Sequence, residues 1–359
     1  MNIFFLTETE SGCYKWRTAI PAKYLQRRGH SVQILSNELR GYEAPDVLVI
    51  SRAHFMEGYK IVEWCKANSI RVVFDTDDAL DLVPRESLYY KALQPRIPLY
   101  EFLLEEADAV TTTTETLASH LRKRNSNVIV IPNCVDPEEW KPQPKEGGIR
   151  VGWSGGTDHF TDLAMPLDAI REVQKKRPFT FVIQGICKEP TLEAFYDRHI
   201  RQYGTAFATT PYGKSMKWAL TKLAGIRYEF HPAVEAAEHP QTVCGLKLDV
   251  GIAPLLDNNF NRNKSCVKFY EYAMSGAVTL ASHVLPYSAE VPTTAKNTRD
   301  WWQQKLEWIL GADRESMNRN EREWVMAHRN IESNVALWES ALTGNAAVAA
   351  VEETSHEAA

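Results

Sequence analysis

Short apolar runs alternating with helix-length amphipathic segments are the feature that most limits how this chain can fold, and the pattern occurs twice. "NIFFLT", "SVQIL", "DVLVIS", "RVVFD" and "VIVIP" are apolar nearly throughout, and patterns such as "WRTAIPAKYLQRRG" and "MEGYKIVEWCKANS" lie between them. A strand buried on both faces cannot alternate polar and apolar residues, so such runs predict parallel sheets covered by helices on both sides. "FLLEEADAVTTTT" continues the alternation. Residues 136–148, "DPEEWKPQPKEGG", break it with proline, charge and glycine and read as an interdomain linker. The pattern then restarts with "IRVGWSGG", "FTFVIQG", "IRYEFHPAV", "LDVGIAPL" and "AVTLAS". At 359 residues the chain has room for two domains of about 150 residues each. The expected division is a doubly wound α/β unit over 1–145 and a second over 146–317. A single long amphipathic helix follows over 318–343, and a tail over 344–359 has little to bury.

Composition removes several function classes. A net charge of −5 gives no general attraction to nucleic acid or anionic membrane. The six cysteines are scattered and form no C-x-x-C pair, which argues against a zinc knuckle or disulfide framework and for reduced thiols. "NIFFLTE" lacks the basic segment and cleavage site of a signal peptide. No apolar run approaches the roughly 20 residues that span a bilayer. These features together predict a cytoplasmic protein without an integral membrane segment. No P-loop, G-x-S-x-G elbow or H-E-x-x-H is present.

The stretch "NRNKSCVKFYEYAMSGAVTLAS", residues 261–282, raises the functional question. In a helix starting near Ser265, Lys268, Glu271 and Ser275 share one arc, Lys264 extends it, and Val267, Tyr270, Ala273 and Met274 lie opposite. Periodicity alone fits both a solvated face and a ligand grip. The helix follows "GIAPL", a strand end, so its N-terminus lies at the C-terminal edge of a parallel sheet, where open α/β folds bind ligands. Two lysines at a helix start favour phosphate, and a glutamate further in can accept the hydroxyls of a ribose.

"NKSxxKFxEYAxxGxxxxAS" resembles the donor-binding segment of GT-B glycosyltransferases, most like glycosyltransferase family 4. "IPNCVD" is similar to that family's stretch near the domain break, "VGWSGG" with the following "H" and "DL" to the opening of its second domain, and "LDVGIAPL" to the strand before its donor helix. The resemblance implies a GT-B fold, two Rossmann-like domains facing a cleft, with the last helix packed back on the first. It implies that Glu271 binds the ribose of a UDP- or GDP-sugar co-substrate and that Lys264 and Lys268 stabilise the leaving diphosphate. Gly155, Gly156, His159, Asn263 and Ser265 complete the donor side. Asn263 stands where the family often has a second glutamate, and "SGGTDHFTD" lacks the family's Arg and Lys, so the amides of the glycine turn are expected to help hold phosphate.

The acceptor side is expected in the first domain. Gly12 lies in the loop after the first strand, where backbone can approach a ligand. Arg17 reads either as part of a plain strand-to-helix turn or as a cleft cation. Arg52 and His54 end another strand. "FDTDDALD" offers Asp75, Asp77 and Asp78, which either cap a helix or face the acceptor. A D-x-D holds a divalent ion in the other large glycosyltransferase fold. The two α/β units, with the donor helix in the second, speak against that reading, so no metal and no permanently bound cofactor are expected. The resemblance implies transfer of a sugar to an acceptor hydroxyl with retention at the anomeric carbon. The expected acceptor is a saccharide or glycoconjugate. The alternatives are hydroxymethylated bases in DNA, as for viral relatives, or a sugar-nucleotide epimerase or a non-catalytic nucleotide-sugar-binding protein.

Overall fold

In a computed structural model, which describes residues 1–7, 12–36, 43–52 and 58–344, the apolar runs form two six-stranded sheets, every strand pair parallel. The first contains β1 (Asn2–Thr7), β2 (Ser31–Leu35), β3 (Val47–Ser51), β4 (Arg71–Asp75), β5 (Ala109–Thr112) and β6 (Val128–Val130), in the order β2-β1-β3-β4-β5-β6. The second contains β7 (Arg150–Gly155), β8 (Thr180–Gly185), β9 (Tyr228–His231), β10 (Val250–Ala253), β11 (Val278–Ser282) and β12 (Thr294–Ala295), in the order β12-β11-β10-β7-β8-β9. Central strands are buried along their length, as β3 and β11 show, and the edge strand β9 is not. In each sheet the first strand lies inside the order, so connections leave it in both directions and open a crevice at its C-terminal end.

Five helices position the site and join the two units: α1 (Ile20–Arg27), α2 (His239–Gly245), α3 (Val267–Ser275), α4 (Arg314–His328) and α5 (Ile331–Thr343). The expected single C-terminal helix is two. Val135, just past β6, donates its N–H to the Arg329 carbonyl and accepts from the Ile331 N–H, at 2.7 and 3.0 Å. Asn330 turns out of the helix and caps α5 by accepting the Glu332 N–H at 3.0 Å. Those backbone groups cannot also serve an unbroken helix, so the chain bends there. The bend lets α4 pack on α3 while α5 crosses to α1 of the first unit. Trp338 of α5 is fully buried against Phe5 of β1, with ring centroids 6.1 Å apart. One apolar cluster thus runs from β1 and α1 through α5 to Phe269 and Tyr270 of α3.

An ion pair lies inside this cluster. Arg17 and Asp75 are each 1% exposed, and the guanidinium meets the carboxylate at 2.7 Å. Arg17 also donates to the Ile131 carbonyl at 2.6 Å and to Asn133 Oδ1 at 3.3 Å, and lies 4.8 Å over the Trp338 ring. The Thr111 hydroxyl donates to Asp75 at 2.7 Å. Both charges are therefore used within the protein. Removing one member of such a pair leaves an unmatched buried charge. Arg17→Met should lower unfolding stability by about 3 kcal/mol in denaturant titration. A loss below about 1 kcal/mol would show that water reaches Asp75.

Glu321 of α4 is a second buried acid, 3% exposed and with no cation paired to it among the described residues. Its two oxygens accept the Thr279 N–H at 3.3 and 3.0 Å. Burial pushes its carboxyl up to about 8, and those bonds only partly offset it. An acid raised in the folded state stabilises fully below its ordinary 4.5 and loses that contribution as pH rises through about 8. Glu321→Gln should therefore gain on the parent protein as pH increases, by no more than about 5 kcal/mol. Melting temperatures at about pH 5 and about pH 9 test this, and parallel curves would exclude Glu321 as the titrating group.

Candidate functional site

Segment 261–268 connects the C-terminal edges of the two sheets. Asn133, after β6, donates to Ser265 Oγ at 2.9 Å, and Thr114, after β5, donates to the Asn263 carbonyl at 3.3 Å. Lys264 approaches Asp78, after β4, at 3.8 Å and lies 4.6 Å over the Phe260 ring. From the other direction, the backbone N–H of Leu88 and the hydroxyl of Ser87 donate to Asp158, each at 2.7 Å. Lys15 reaches from the first unit to Glu139 at 2.8 Å and to the Ala236 carbonyl at 3.3 Å. The crevice of the second sheet thus faces the strand ends of the first.

Helix α3 is buried from Phe269 to Ser275, so the arc of Lys268, Glu271 and Ser275 is not a solvated face. No side chain caps its N-terminus at Cys266, and Gly276 ends it at φ 95°, as a glycine after the last helical turn does. Lys268 Nζ donates to the Ser154 carbonyl at 2.6 Å and lies 5.1 Å over the Trp153 ring. A Cβ on Gly155 would come within 2.5 Å of that ring and 2.7 Å of Lys268 Nζ, so only glycine lets the lysine approach the end of β7. Gly156 has open space around it. Burial lowers the Lys268 ammonium, and Lys264 adds to this against the pull of Glu271. Burial acts the same way on Lys264, but Asp78 and other acidic groups reverse it, so that ammonium is raised.

Glu271 is 6% exposed, and its Oε1 accepts from His239 Nε2, the first residue of α2, at 3.0 Å. Burial alone would raise its carboxyl. His239, Lys268 and Lys15 more than offset that and hold it below the ordinary carboxylate range. His159 follows the glycine turn and bonds Asp162 at 2.8 Å through Nδ1, while burial lowers its imidazole. Asp162 also accepts the Leu256 N–H at 2.8 Å, which connects the turn to the end of β10. The buried Asn263 points its amide nitrogen at the Asn259 carbonyl, 2.6 Å away.

On the first-unit side the structure divides the expected residues. Arg17 and Asp75 form the buried pair and do not line the cleft, which corrects the expectation that they face an acceptor. Gly12 opens a short helical turn at the surface, with nothing among the described residues close to where a Cβ would stand. Arg52 bridges Asp78 at 2.6 Å and Asp77 at 3.2 Å and is held at φ 62°, an uncommon backbone state for arginine. Burial raises Asp77, and Arg52, Cys13, Arg17 and Lys264 together bring it below its ordinary value. His54 lies outside the described residues, as does the tail from residue 345.

Among the described residues, one group could approach a cation: ligand atoms of Cys13, Asp77 and Asp78 lie within 4.8 Å of one another. Arg52 already matches both carboxylates, and burial raises the Cys13 thiol, so this is a poor donor set for a metal. Pattern reading misses Lys15, Cys13, Asn133 and His239. Asn133 sits within "IPNCVD", a stretch the resemblance singles out, whereas nothing around His239 in "AAEHPQ" marks it.

No protein-family model matches the chain, and no curated protein sequence does. Solved structures are similar. One is an alpha-glucosyltransferase in complex with UDP, at TM-score 0.64 and 12% identity over 95% of this chain and 99% of that one. A second is an alpha-glucosyltransferase in complex with UDP-glucose and DNA containing an abasic site, at 0.64 and 12% over 95% and 98%. A third is Anabaena Alr3699/HepE in complex with UDP, at 0.62 and 11% over 96% and 100%. At such identity the likeness is one of fold. The chain has the GT-B fold, with two parallel α/β sheets facing each other across the cleft.

Proposed function

We propose that this protein is a glycosyltransferase that moves a sugar from a UDP- or GDP-sugar to an acceptor hydroxyl. The carrying observation is the placement of Glu271 and Lys268 together at the C-terminal edge of the second sheet, beside the Gly155–Gly156 turn. Residues 146–317 form the donor domain and 1–145 the acceptor domain, with 318–343 bracing the two. Glu271 takes the ribose hydroxyls. Lys268, Lys264 and the amides of the turn and of the α3 start take the diphosphate. On this reading Asn263 offers a neutral amide rather than a carboxylate near the transferred sugar. Ser265 and His159 set the two sides of the site, and Arg52, Asp77 and Asp78 face the acceptor.

Catalysis then consists of placement and charge stabilisation. The departing diphosphate gains negative charge as the bond to the anomeric carbon breaks, and two ammonium groups stand where that charge develops. The acceptor hydroxyl oxygen forms the new bond on the same face and passes its proton to the departing phosphate oxygen, so retention requires no nucleophile from the protein, and the lysines fill the role that a metal has elsewhere. Closure of the cleft limits attack by water. Among the described residues no helix is long and apolar enough to cross a membrane. The six cysteines are free, which fits a reducing, cytoplasmic compartment. The acceptor on this reading is a saccharide or glycoconjugate. A DNA acceptor is the second reading, because several of the similar structures hold DNA. The net charge of −5 works against it, so it needs salt-dependent retardation of hydroxymethylated DNA in a mobility assay.

A thermal-shift panel of nucleotide sugars should identify the base and sugar, and no shift with any of them would overturn the proposal. With the nucleotide so found, Glu271→Ala should weaken binding by about 1–3 kcal/mol in calorimetry, the scale for losing a charge-assisted hydrogen bond. Unchanged affinity would take Glu271 out of the site. Lys268→Ala should weaken the nucleoside diphosphate by at least about tenfold more than the nucleoside. Equal losses would make it a lysine of the fold alone.

A further inference from the structure

The Glu271 side chain makes one hydrogen bond among the described residues, and it comes from outside its own helix. His239 Nε2 donates to Oε1 at 3.0 Å, while Oε2 accepts none. The carboxylate is therefore held by one oxygen and left free at the other. A glutamate 6% exposed has little water to orient it, so its direction depends on that imidazole.

The imidazole is itself held in place. His239 is the first residue of α2, and Pro240 follows it, with the fixed φ that suits a helix start. Three residues earlier, the Ala236 carbonyl accepts from Lys15 Nζ at 3.3 Å, and Lys15 also pairs with Glu139 at 2.8 Å. Further along α2, Gln241 donates to the Glu139 carbonyl at 2.7 Å. The side chain of His239 is 25% exposed and is directed at Glu271, so it is not consumed by the core.

We infer that His239 is a positioning residue for the nucleotide ribose: it fixes one oxygen of Glu271 so that the other meets the ribose hydroxyls, and it thereby sets selectivity for ribo- over 2′-deoxyribonucleotides. The inference rests on the proposed donor site at Glu271. A fixed carboxylate oxygen discriminates by geometry, because loss of the 2′-hydroxyl leaves it buried and unmatched. A carboxylate free to rotate can find another donor or water and discriminates less.

The test compares calorimetric affinities of uridine and guanosine diphosphates with those of their 2′-deoxy counterparts. The parent protein, His239→Ala, His239→Gln and Glu271→Ala are measured, with melting temperatures recorded for each. The parent should prefer the ribonucleotide of its base. His239→Ala should reduce that preference by about tenfold while leaving the 2′-deoxynucleotide bound nearly as well. His239→Gln keeps a donor near the Nε2 position and should restore most of the preference. Equal weakening of both nucleotides by His239→Ala, or an unchanged preference, with Glu271→Ala still abolishing discrimination, would overturn the role of His239 and leave the donor site standing. A parent protein that binds neither ribonucleotide, or that binds ribo and deoxy forms alike, would overturn the ribose assignment of Glu271 itself.

Discussion

The buried Arg17–Asp75 pair is the contact on which the other parts of this molecule converge. Putting two charges 1% exposed into an apolar cluster costs several kcal/mol per ion unless every hydrogen-bonding position is matched. Here the matching groups come from separate places in the chain. Thr111 is on β5, Ile131 and Asn133 follow β6, and Trp338 of α5 covers the guanidinium. Asn133 also reaches Ser265, just before helix α3. One unbroken set of polar contacts thus connects the end of β4 to the start of α3, and the pair is fully matched only when the first sheet and the last helix are in place.

The two sides of the cleft are joined by different kinds of contact. At the back, the cluster running from β1 through α5 to α3 is apolar, and separating it would expose large side chains such as Trp338 and Phe269 to water. At the front, the contacts are polar: Lys264 with Asp78, Thr114 with Asn263, Ser87 and Leu88 with Asp158, and Lys15 with Ala236. Water can replace such contacts at a net cost of about 1 kcal/mol each. On the proposed reading the apolar brace is the hinge and the polar front is where a substrate enters.

Lys264 and Lys268 sit in unlike fields although one turn of chain separates them. Lys264 faces the carboxylates of the first unit and is raised, while Lys268 is lowered by burial against Trp153 and the Ser154 carbonyl. On the proposed reading a diphosphate would compete with Asp78 for Lys264 and would add to the pull that Glu271 already exerts on Lys268. Donor binding and the position of the first unit are then linked through the same charges.

Much of this was legible in the sequence because it depends on local periodicity. Eleven of the twelve strands lie in the apolar runs or the alternation that predicts them, since a strand buried on both faces must be apolar throughout. Gly276 stands where the backbone is left-handed and Gly155 where a Cβ would meet Trp153 and Lys268, and both demands favour glycine. Chain order and periodicity also place Lys268 and Glu271 on one arc at a sheet edge. Tertiary structure alone decided what each charge meets. Arg17 and Asp75 carry the same types of residue as a cleft would, yet they close on each other across 58 positions of chain. The helical pattern of 318–343 has no break in it, yet Val135 takes the backbone groups at Arg329 and Ile331 and divides the helix. His239 finds Glu271 from 32 residues away, with no spacing rule to announce it. Periodicity records which face of an element is buried, because that is a property of neighbouring residues. Pairing of charges and backbone groups depends on which distant segments the packed sheets bring together.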